Sequence, residues 1–445
     1  LLSYSQQRLW ILDQVEQTSV QYNMPVVLKF TGALNIAAVR WALHSIIERH
    51  QILRTVYQLD EHNQPVAVVK QDFDANLTIV DLVDQATNTE DLNEVLIAES
   101  NKPFNLATDT MIRSTIYQLE ANLAVLSSTI HHIAFDGWSS SVFIKEFNQL
   151  YTDFIENNAV SSLDELTLQF SDYAYWQRNH LQGERLDALQ AYWRDNLKDI
   201  PAQINLPTDK PRAAVRTTNG ASESIVLENE LYQQLKILSE QQDVTLFMLF
   251  LSALNILLAA HSKQNDIVIG TSVANRQHSS VNELIGFFVN TLPIRAKLDW
   301  NETLDTFVQK VKEACLQAYD HQDLPFDQLV EAVNPPRDQS ITPIFQVLFV
   351  LQNTPKANWH LPEVDVTGVN LDRQGTGVAK FDLFFSVEQS ESEHVIALQY
   401  NKDIFKQSTI KDMLKSFRAV LECMATSVED PLAQLQHVAK SRVEP

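Results

Sequence analysis

The stretch Thr129-Ile130-His131-His132-Ile133-Ala134-Phe135-Asp136-Gly137-Trp138-Ser139 places an Asp-Gly pair four residues after the second of two adjacent histidines. An apolar run, residues 123–130, leads into it, and an amphipathic helix pattern follows it. This layout predicts a histidine at a strand end, an acid behind it and a helix N-terminus beside both. We interpret the stretch as an acyl-transfer site.

The two histidines are expected to have different roles. Histidine is the side chain best suited to exchange protons near neutral pH, and His132 should project from the strand end toward a cleft. The alternative for any single histidine is a hydrogen-bonded place in the core at a strand end. His131 faces the other way if the strand persists, so a structural role is predicted for it.

Asp136 could hold His132, or it could turn away and pair with an arginine that braces the loop. We favour the second arrangement, because positions i and i+4 of a turning loop point in different directions. Gly137 is expected to allow a tight turn and the close approach of a backbone or a substrate. The N–H groups at Gly137 and the following turn begin a helix, and their partial positive charge suits a developing oxyanion.

Composition excludes several classes of protein. The 445 residues are 45% apolar and 20% charged, which indicates a globular chain with a large core. With a net charge of −22 and no basic stripe, nucleic acid is not an expected partner. The only two cysteines, Cys315 and Cys423, lack metal-ligand spacing and favour a reducing, cytoplasmic location. No apolar run reaches the roughly 18 residues of a membrane span.

The order of the patterns predicts two α/β lobes. Asn35 is predicted to cap a helix, residues 111–119 and 123–130 to form a hairpin, and residues 245–261 to form a buried helix. Strands and helices alternate in two comparable halves, and we place the boundary so that residues 1–175 form an N-terminal lobe with the two histidines. Residues 176–445 form a C-terminal lobe, with a proline-containing, linker-like stretch at 200–220. The first residue is not Met and the tail after Leu432 looks like a linker, so we expect a piece of a longer protein.

Seven stretches in order resemble the condensation domains of nonribosomal peptide synthetases over nearly the whole chain. They are residues 3–12 (SYSQQRLWIL), 49–55 (RHQILRT), 131–137 (HHIAFDG, the HHxxxDG signature), 170–178 (FSDYAYWQR), 285–295 (IGFFVNTLPIR), 321–329 (HQDLPFDQL) and 337–347 (RDQSITPIFQV). Two positions depart from the usual pattern: Gln51 stands where Glu is usual, and Ile341 stands where Arg is common.

The resemblance implies a fold and a set of partners. It implies an α/β chain of two lobes like chloramphenicol acetyltransferase, arranged as a V-shaped pseudo-dimer with the active site in a tunnel between them. Upstream and downstream carrier proteins would present substrates on phosphopantetheine arms, beside an adjacent adenylation domain. The downstream aminoacyl amine would attack the upstream aminoacyl or peptidyl thioester, with no cofactor or metal bound by the domain itself.

The resemblance also implies residue roles. His132 would remove or direct a proton, and an arginine from the other lobe would pair with Asp136. Arg276 is the first choice for that partner, and Arg54 and Arg295 are the alternatives. Further support between the lobes is expected from Arg49 and Asn290. At Phe135, Ser is frequent in domains that take L-configured donors, which favours a D-configured donor here.

Related classes fit less well. Heterocyclising domains carry aspartates in place of the histidines, epimerising domains lack a stretch like residues 288–291, and oxygenase-recruiting domains have a damaged histidine motif. Two alternatives stay open: a stand-alone acyl-CoA-dependent acyltransferase, and a non-catalytic domain that recruits a partner enzyme. The first would need a basic CoA-binding cluster, and none stands out in the sequence.

Overall fold

The computed structural model describes residues 1–16, 19–83, 89–352, 357–369, 377–389, 394–426 and 431–440. Its described residues form two compact units that each mix helices and strands. The first unit consists of Leu1–Gln182, Ala274–Val289 and Thr354–Gln374, and the second of Gly183–Val273, Asn290–Asn353 and Gly375–Pro445. This division differs from a single boundary after residue 175, because two segments from later in the chain pack into the first unit.

The helices are α1 (Tyr4–Glu16), α2 (Ile36–Arg49), α3 (Thr89–Ser100), α4 (Gly137–Glu156), α5 (Phe170–His180), α6 (Gly183–Asn196), α7 (Asn229–Gln241), α8 (Leu246–Ser262), α9 (Leu304–Asp320), α10 (Phe326–Val333), α11 (Gln407–Thr426) and α12 (Leu432–Lys440). The strands are β1 (Asn23–Gly32), β2 (Thr55–Leu59), β3 (Pro65–Val69), β4 (Leu77–Asp81), β5 (Ile112–Glu120), β6 (Leu123–His131), β7 (Gly220–Leu227), β8 (Asp266–Val273), β9 (Asn290–Lys297), β10 (Val347–Gln352), β11 (Val364–Gly368), β12 (Leu383–Gln389) and β13 (His394–Asn401).

In the first unit, β6 lies at the centre of a five-stranded sheet with the order β11-β1-β6-β5-β4. It pairs antiparallel with β1 and with β5, which confirms the predicted β5–β6 hairpin. Its side chains are buried from Ala124 to His131, because hydrophobic clusters cover both faces of the strand. The central strand of this sheet therefore ends at His131, and His132 follows it directly.

Helices α2 and α4 pack against one another and fill the core of the first unit. Asn35 caps α2 by accepting a hydrogen bond from the Ala38 N–H at 3.0 Å, as its sequence pattern predicts. The apolar positions of α2 recur at helical spacing and are buried. Phe143 and Phe147 of α4 are also buried. This packing fixes the N-terminus of α4, where the site begins.

The second unit contains a six-stranded sheet with the order β7-β13-β12-β10-β8-β9. Strand β10 pairs parallel with β12 and with β8, while the outer pairs are antiparallel. Helix α8 is buried on nearly all sides, as its continuous apolar sequence predicts, and contacts α9, α11 and α12.

Two segments that the sequence pattern indicated as linkers are ordered parts of the second unit. In the stretch 200–220, the Ile204 N–H binds the Gln346 side chain at 2.8 Å, and Arg212 forms an ion pair with the buried Asp382. The tail after residue 432 forms α12, because its apolar side chains are buried against α8 and α11. Residues 441–445 lie outside the described residues.

Candidate active site

His131 is the last residue of β6 and is fully buried. Its N–H donates to the Met111 carbonyl at 2.9 Å, and its Nδ1 accepts from the Ile133 N–H at 3.2 Å. The second bond caps the short 3-10 turn His132–Ala134. The ring centroids of Tyr22 and Phe104 lie 6.3 and 5.6 Å from that of His131. These contacts agree with a structural role for His131.

His132 begins this turn and is only partly buried. Its Nδ1 lies 2.6 Å from the Phe135 carbonyl oxygen. A carbonyl oxygen can only accept a hydrogen bond, so the geometry assigns the proton of the neutral imidazole to Nδ1. The lone pair is then on Nε2, which makes Nε2 the basic atom. The ring centroid of Phe287 lies 4.7 Å from that of His132.

Asp136 is buried at the N-cap of α4 and binds partners other than His132. Its Oδ1 accepts from the Ser139 N–H at 2.8 Å and lies 2.7 Å from the Ser139 hydroxyl. Its Oδ2 accepts from the Phe288 N–H at 3.0 Å. The carboxylate thus holds the start of α4 and the backbone of a distant segment, which agrees with the bracing arrangement favoured for this residue.

Arg276 is the ion-pair partner of Asp136, with Nη2 3.2 Å from Oδ1. Its Nη1 donates to the carbonyls of Val281 and Leu284 at 2.6 and 2.8 Å, and its guanidinium lies 4.0 Å from the ring centroid of Phe288. Burial lowers the pKa of Arg276, and the Asp136 carboxylate opposes that shift. The expectation that this arginine comes from the other lobe is corrected: residues 274–289 belong to the same unit as Asp136.

The two other candidate arginines of the first unit bind groups other than Asp136. Arg54 donates to the Lys70 carbonyl at 2.6 Å and lies over the Phe73 ring. Arg49 pairs with Glu146 on α4 at 2.8 Å. Both residues therefore hold loops and helices within their own unit.

Arg295 and Asn290 lie on β9 in the second unit. Arg295 forms a two-point ion pair with Asp266 on the neighbouring strand, at 2.8 and 2.6 Å. Asn290 donates to the carbonyls of Gln322 and Leu324 at 2.8 and 2.9 Å, and its Oδ1 accepts from the Phe326 N–H at 3.0 Å. The Asn290 contacts connect strand β9 to the turn before α10 within the second unit.

The backbone at Gly137 does not need glycine, and the side chain of Phe135 is buried. Gly137 is exposed at the first position of α4 and has no positive φ, so the turn does not require glycine. An added Cβ would meet no atom within 4 Å, so the space beside Gly137 is open. Phe135 is fully buried against Phe143, so its side chain lies in the core.

Two polar residues of the site were missed in the sequence. Ser139 was interpreted only as the start of a helix, yet its hydroxyl accepts from the Gly286 N–H at 3.0 Å beside Asp136. His50 is buried, with Nε2 2.8 Å from Glu146 and Nδ1 accepting from the Ile285 N–H at 3.3 Å. The available signal was position: Ser139 follows the Asp-Gly pair by two residues, and His50 lies in the stretch 49–55.

Within the described ranges, no group of three His, Cys, Asp or Glu side chains is arranged to hold a metal ion. No single helix among the described residues is long and apolar enough to cross a membrane, although α7 and α8 together, bent by 105°, pass that test by length and composition.

The sequence matches the family model described as "Condensation domain" over residues 1–443. It is 37% identical over 443 residues to malpibaldin synthetase of Mortierella alpina, a match that covers 100% of this chain and 8% of that protein. It is 38% identical over 432 residues to malpinin synthetase of the same organism, with 97% and 6% covered. The chain therefore spans under a tenth of the length of these relatives.

Solved structures share the fold. The X-domain from teicoplanin biosynthesis has a TM-score of 0.86 at 27% identity, with 97% of this chain and 96% of that one covered. A four-domain nonribosomal peptide synthetase bound to AMP and glycine has a TM-score of 0.84 at 25% identity, with 98% and 33% covered. A match along almost the entire chain, together with an intact HHxxxDG stretch, shows that this chain belongs to the condensation-domain family.

Proposed function

We propose that this chain forms amide bonds between two carrier-bound substrates of a nonribosomal peptide synthetase. The amine of a downstream aminoacyl thioester attacks the carbonyl carbon of an upstream aminoacyl or peptidyl thioester. A C–N bond forms, the C–S bond breaks, and the upstream phosphopantetheine leaves as a thiol. The four-domain synthetase that shares this fold supports the presence of neighbouring carrier and adenylation domains. We also propose that the domain acts in the cytoplasm.

The observation that carries this proposal is the orientation of His132. The Phe135 carbonyl holds Nδ1, so Nε2 is the nitrogen that can accept a proton from the attacking amine. The proton then passes from Nε2 to the leaving thiolate, and His132 returns to its starting state. The amine and the thioester are thus converted to an amide and a thiol without any further reactant.

The start of α4 offers a place for the negative charge that develops on the carbonyl oxygen. The first N–H groups of a helix have no partner within the helix, and the helix dipole adds partial positive charge there. Among these first N–H groups of α4, that of Ser139 donates to the Asp136 carboxylate. The open space at Gly137 lets a thioester carbonyl approach this end of the helix.

Two effects share the catalysis in this proposal. Holding amine and thioester together supplies up to about 7–11 kcal/mol of the barrier reduction. General base catalysis adds about 10²–10⁴-fold in rate. An amine is already a good nucleophile when neutral, so loss of His132 leaves measurable turnover, and its effect varies with the substrate.

The test is a single-turnover assay with two carrier proteins, each loaded with an aminoacyl phosphopantetheine and followed by intact mass. His132→Gln is expected to slow product formation by roughly 10²–10⁴-fold. His62→Gln, the same change on an exposed loop between β2 and β3, is the matched control and should retain the rate. Product formed by His132→Gln at the unmodified rate would exclude the general base role. Donors of L and D configuration in parallel test the D preference inferred at Phe135.

A second candidate function is the recruitment of a partner enzyme. It is favoured by the 26% identity and TM-score of 0.86 to a structure described as the complex of the X-domain and OxyB from teicoplanin biosynthesis. Under this alternative no amide forms between loaded carriers, and His132→Gln changes nothing. The same assay therefore separates the two functions.

A further inference from the structure

Phe287 is an aromatic neighbour of His132 and takes no part in the proposed reaction itself. The two ring centroids lie 4.7 Å apart with an interplanar angle of 57°. Both residues are half-buried. This is the geometry of a favourable tilted aromatic pair at the edge of the site.

The backbone around Phe287 is held by polar side chains on both sides. We call residues 284–288 the clamped segment. Its backbone groups bind the side chains of buried residues from elsewhere in the first unit. The bonds join Leu284 O to Arg276 (2.8 Å), Ile285 N to His50 (3.3 Å), Gly286 N to Ser139 (3.0 Å) and Phe288 N to Asp136 (3.0 Å).

Glycine is required within the clamped segment. A Cβ at Gly286 would lie 2.3 Å from the Phe170 ring and 2.6 Å from the Phe288 ring, far inside van der Waals contact. The clamped segment is therefore held by close packing of Gly286 against the Phe170 and Phe288 rings as well as by hydrogen bonds. A backbone fixed in this way presents the next side chain, Phe287, in one position.

The two consecutive phenylalanines differ in burial. Phe288 is 1% exposed and packs against Phe170 and Tyr173, with ring centroids 4.9 and 4.6 Å away. Phe288 therefore anchors the segment in the core. Phe287 is only half-buried; it packs against the same core, and its ring lies against that of His132.

We propose that Phe287 is a positioning residue for the His132 imidazole. The Phe135 carbonyl holds one nitrogen of the ring, and the Phe287 side chain covers the ring from the clamped segment, so that Nε2 keeps one direction. The catalytic consequence rests on the proposed function of His132. The positioning itself is a property of the protein without substrate and can be measured there.

The experiment compares Phe287→Leu, Phe287→Tyr and Phe154→Leu in the full 445-residue chain labelled with ¹⁵N-histidine. Phe287→Tyr keeps the aromatic ring. Phe154→Leu is the matched control, because Phe154 is a half-buried phenylalanine of α4 that packs against Trp41, 5.9 Å away. Signals that disappear in His132→Gln are assigned to His132. The readouts are the His132 ring ¹⁵N shifts across pH and the single-turnover condensation rate.

Phe287→Leu is expected to shift the His132 ¹⁵N signals toward a mixture of tautomers and to slow condensation roughly three- to tenfold, the size of an aromatic pair's contribution. Phe287→Tyr and Phe154→Leu should match the unmodified chain in both readouts. Unchanged His132 signals in Phe287→Leu would overturn the positioning role, even if condensation slowed. If Phe287→Leu shifted the His132 ¹⁵N signals but left the condensation rate unchanged, the positioning role would be supported. The same result would count against His132 as the general base.

Discussion

Asp136 and Arg276 lie 140 positions apart in the sequence and form an ion pair whose side chains are only 2% and 1% exposed. Removing one partner leaves the other charge buried, which costs about 3–5 kcal/mol. We therefore expect Arg276→Ala to lower the free energy of unfolding by that amount and, in a chain of this length, the melting temperature by roughly 3–5 °C. Differential scanning calorimetry measures both.

Lys145→Ala is the control for this prediction. Lys145 and Glu283 join the same two parts of the first unit, α4 and residues 274–289, but their side chains are 68% and 64% exposed. Such a surface pair contributes about 0–1 kcal/mol. If Arg276→Ala and Lys145→Ala had the same melting temperature, the ion pair between Arg276 and Asp136 would not stabilise the fold.

The second prediction concerns His131, whose Nδ1 accepts a hydrogen bond from the Ile133 N–H. Asn can place its Oδ1 where this nitrogen lies, whereas Leu leaves the N–H without its acceptor. We expect His131→Leu to be about 1–3 kcal/mol less stable than His131→Asn in urea unfolding. Equal stability of the two variants would show that the bond to Ile133 contributes nothing.

The third prediction concerns pH. Burial lowers the pKa of His261 from its ordinary value of 6.5; a hydrogen bond to the Ala439 backbone opposes this shift, and nearby Lys440 adds to it. The unfolded chain therefore binds a proton at pH values where folded His261 stays neutral, so stability falls as the pH drops below about 6.5. Urea unfolding at intervals from pH 7.5 to 5 should show a shallower decline in His261→Gln. Parallel declines in the two proteins would contradict this assignment.

The fourth prediction concerns Asp209, in the stretch first interpreted as a linker. Its carboxylate accepts from the Lys406 N–H at 2.7 Å and from the Thr409 hydroxyl at 2.9 Å, at the start of α11. Loss of a helix cap costs about 0.5–2 kcal/mol, which we expect for Asp209→Ala in urea unfolding. Asp412→Ala, which removes an ion pair with Lys415 on α11, is the comparison and should cost less.

Local sequence patterns predicted the local elements of this fold well. The cap of α2 at Asn35, the β5–β6 hairpin and the largely buried α8 each depend on residues close in sequence. The direction of Asp136 away from His132 was also inferred from spacing. In each case the physical cause lies within a few residues, where helix period and strand alternation carry the information.

The predictions that failed concern contacts across long stretches of chain. Nothing local in residues 274–289 shows that they pack into the first unit, or that Ser139 and His50 bind the backbone of the clamped segment. The stretch 200–220 contains prolines, as linkers often do. Its polar groups nevertheless form hydrogen bonds and ion pairs with residues distant in sequence, such as Gln346 and Asp382. Proline and polar content indicate an irregular backbone, and they do not show what that backbone binds.

The strand β11 has a consequence for the order in which the protein folds during synthesis. It pairs with β1 at the edge of the first unit's sheet, from Leu28 opposite Gly368 to Gly32 opposite Val364. The ribosome must therefore make most of the chain before this sheet gains its last strand. The ion pair of Asp136 likewise forms only after Arg276 has been made. The N-terminal part of the first unit emerges first, but it can reach its final form only after residues 274–289 and 364–368 have been made.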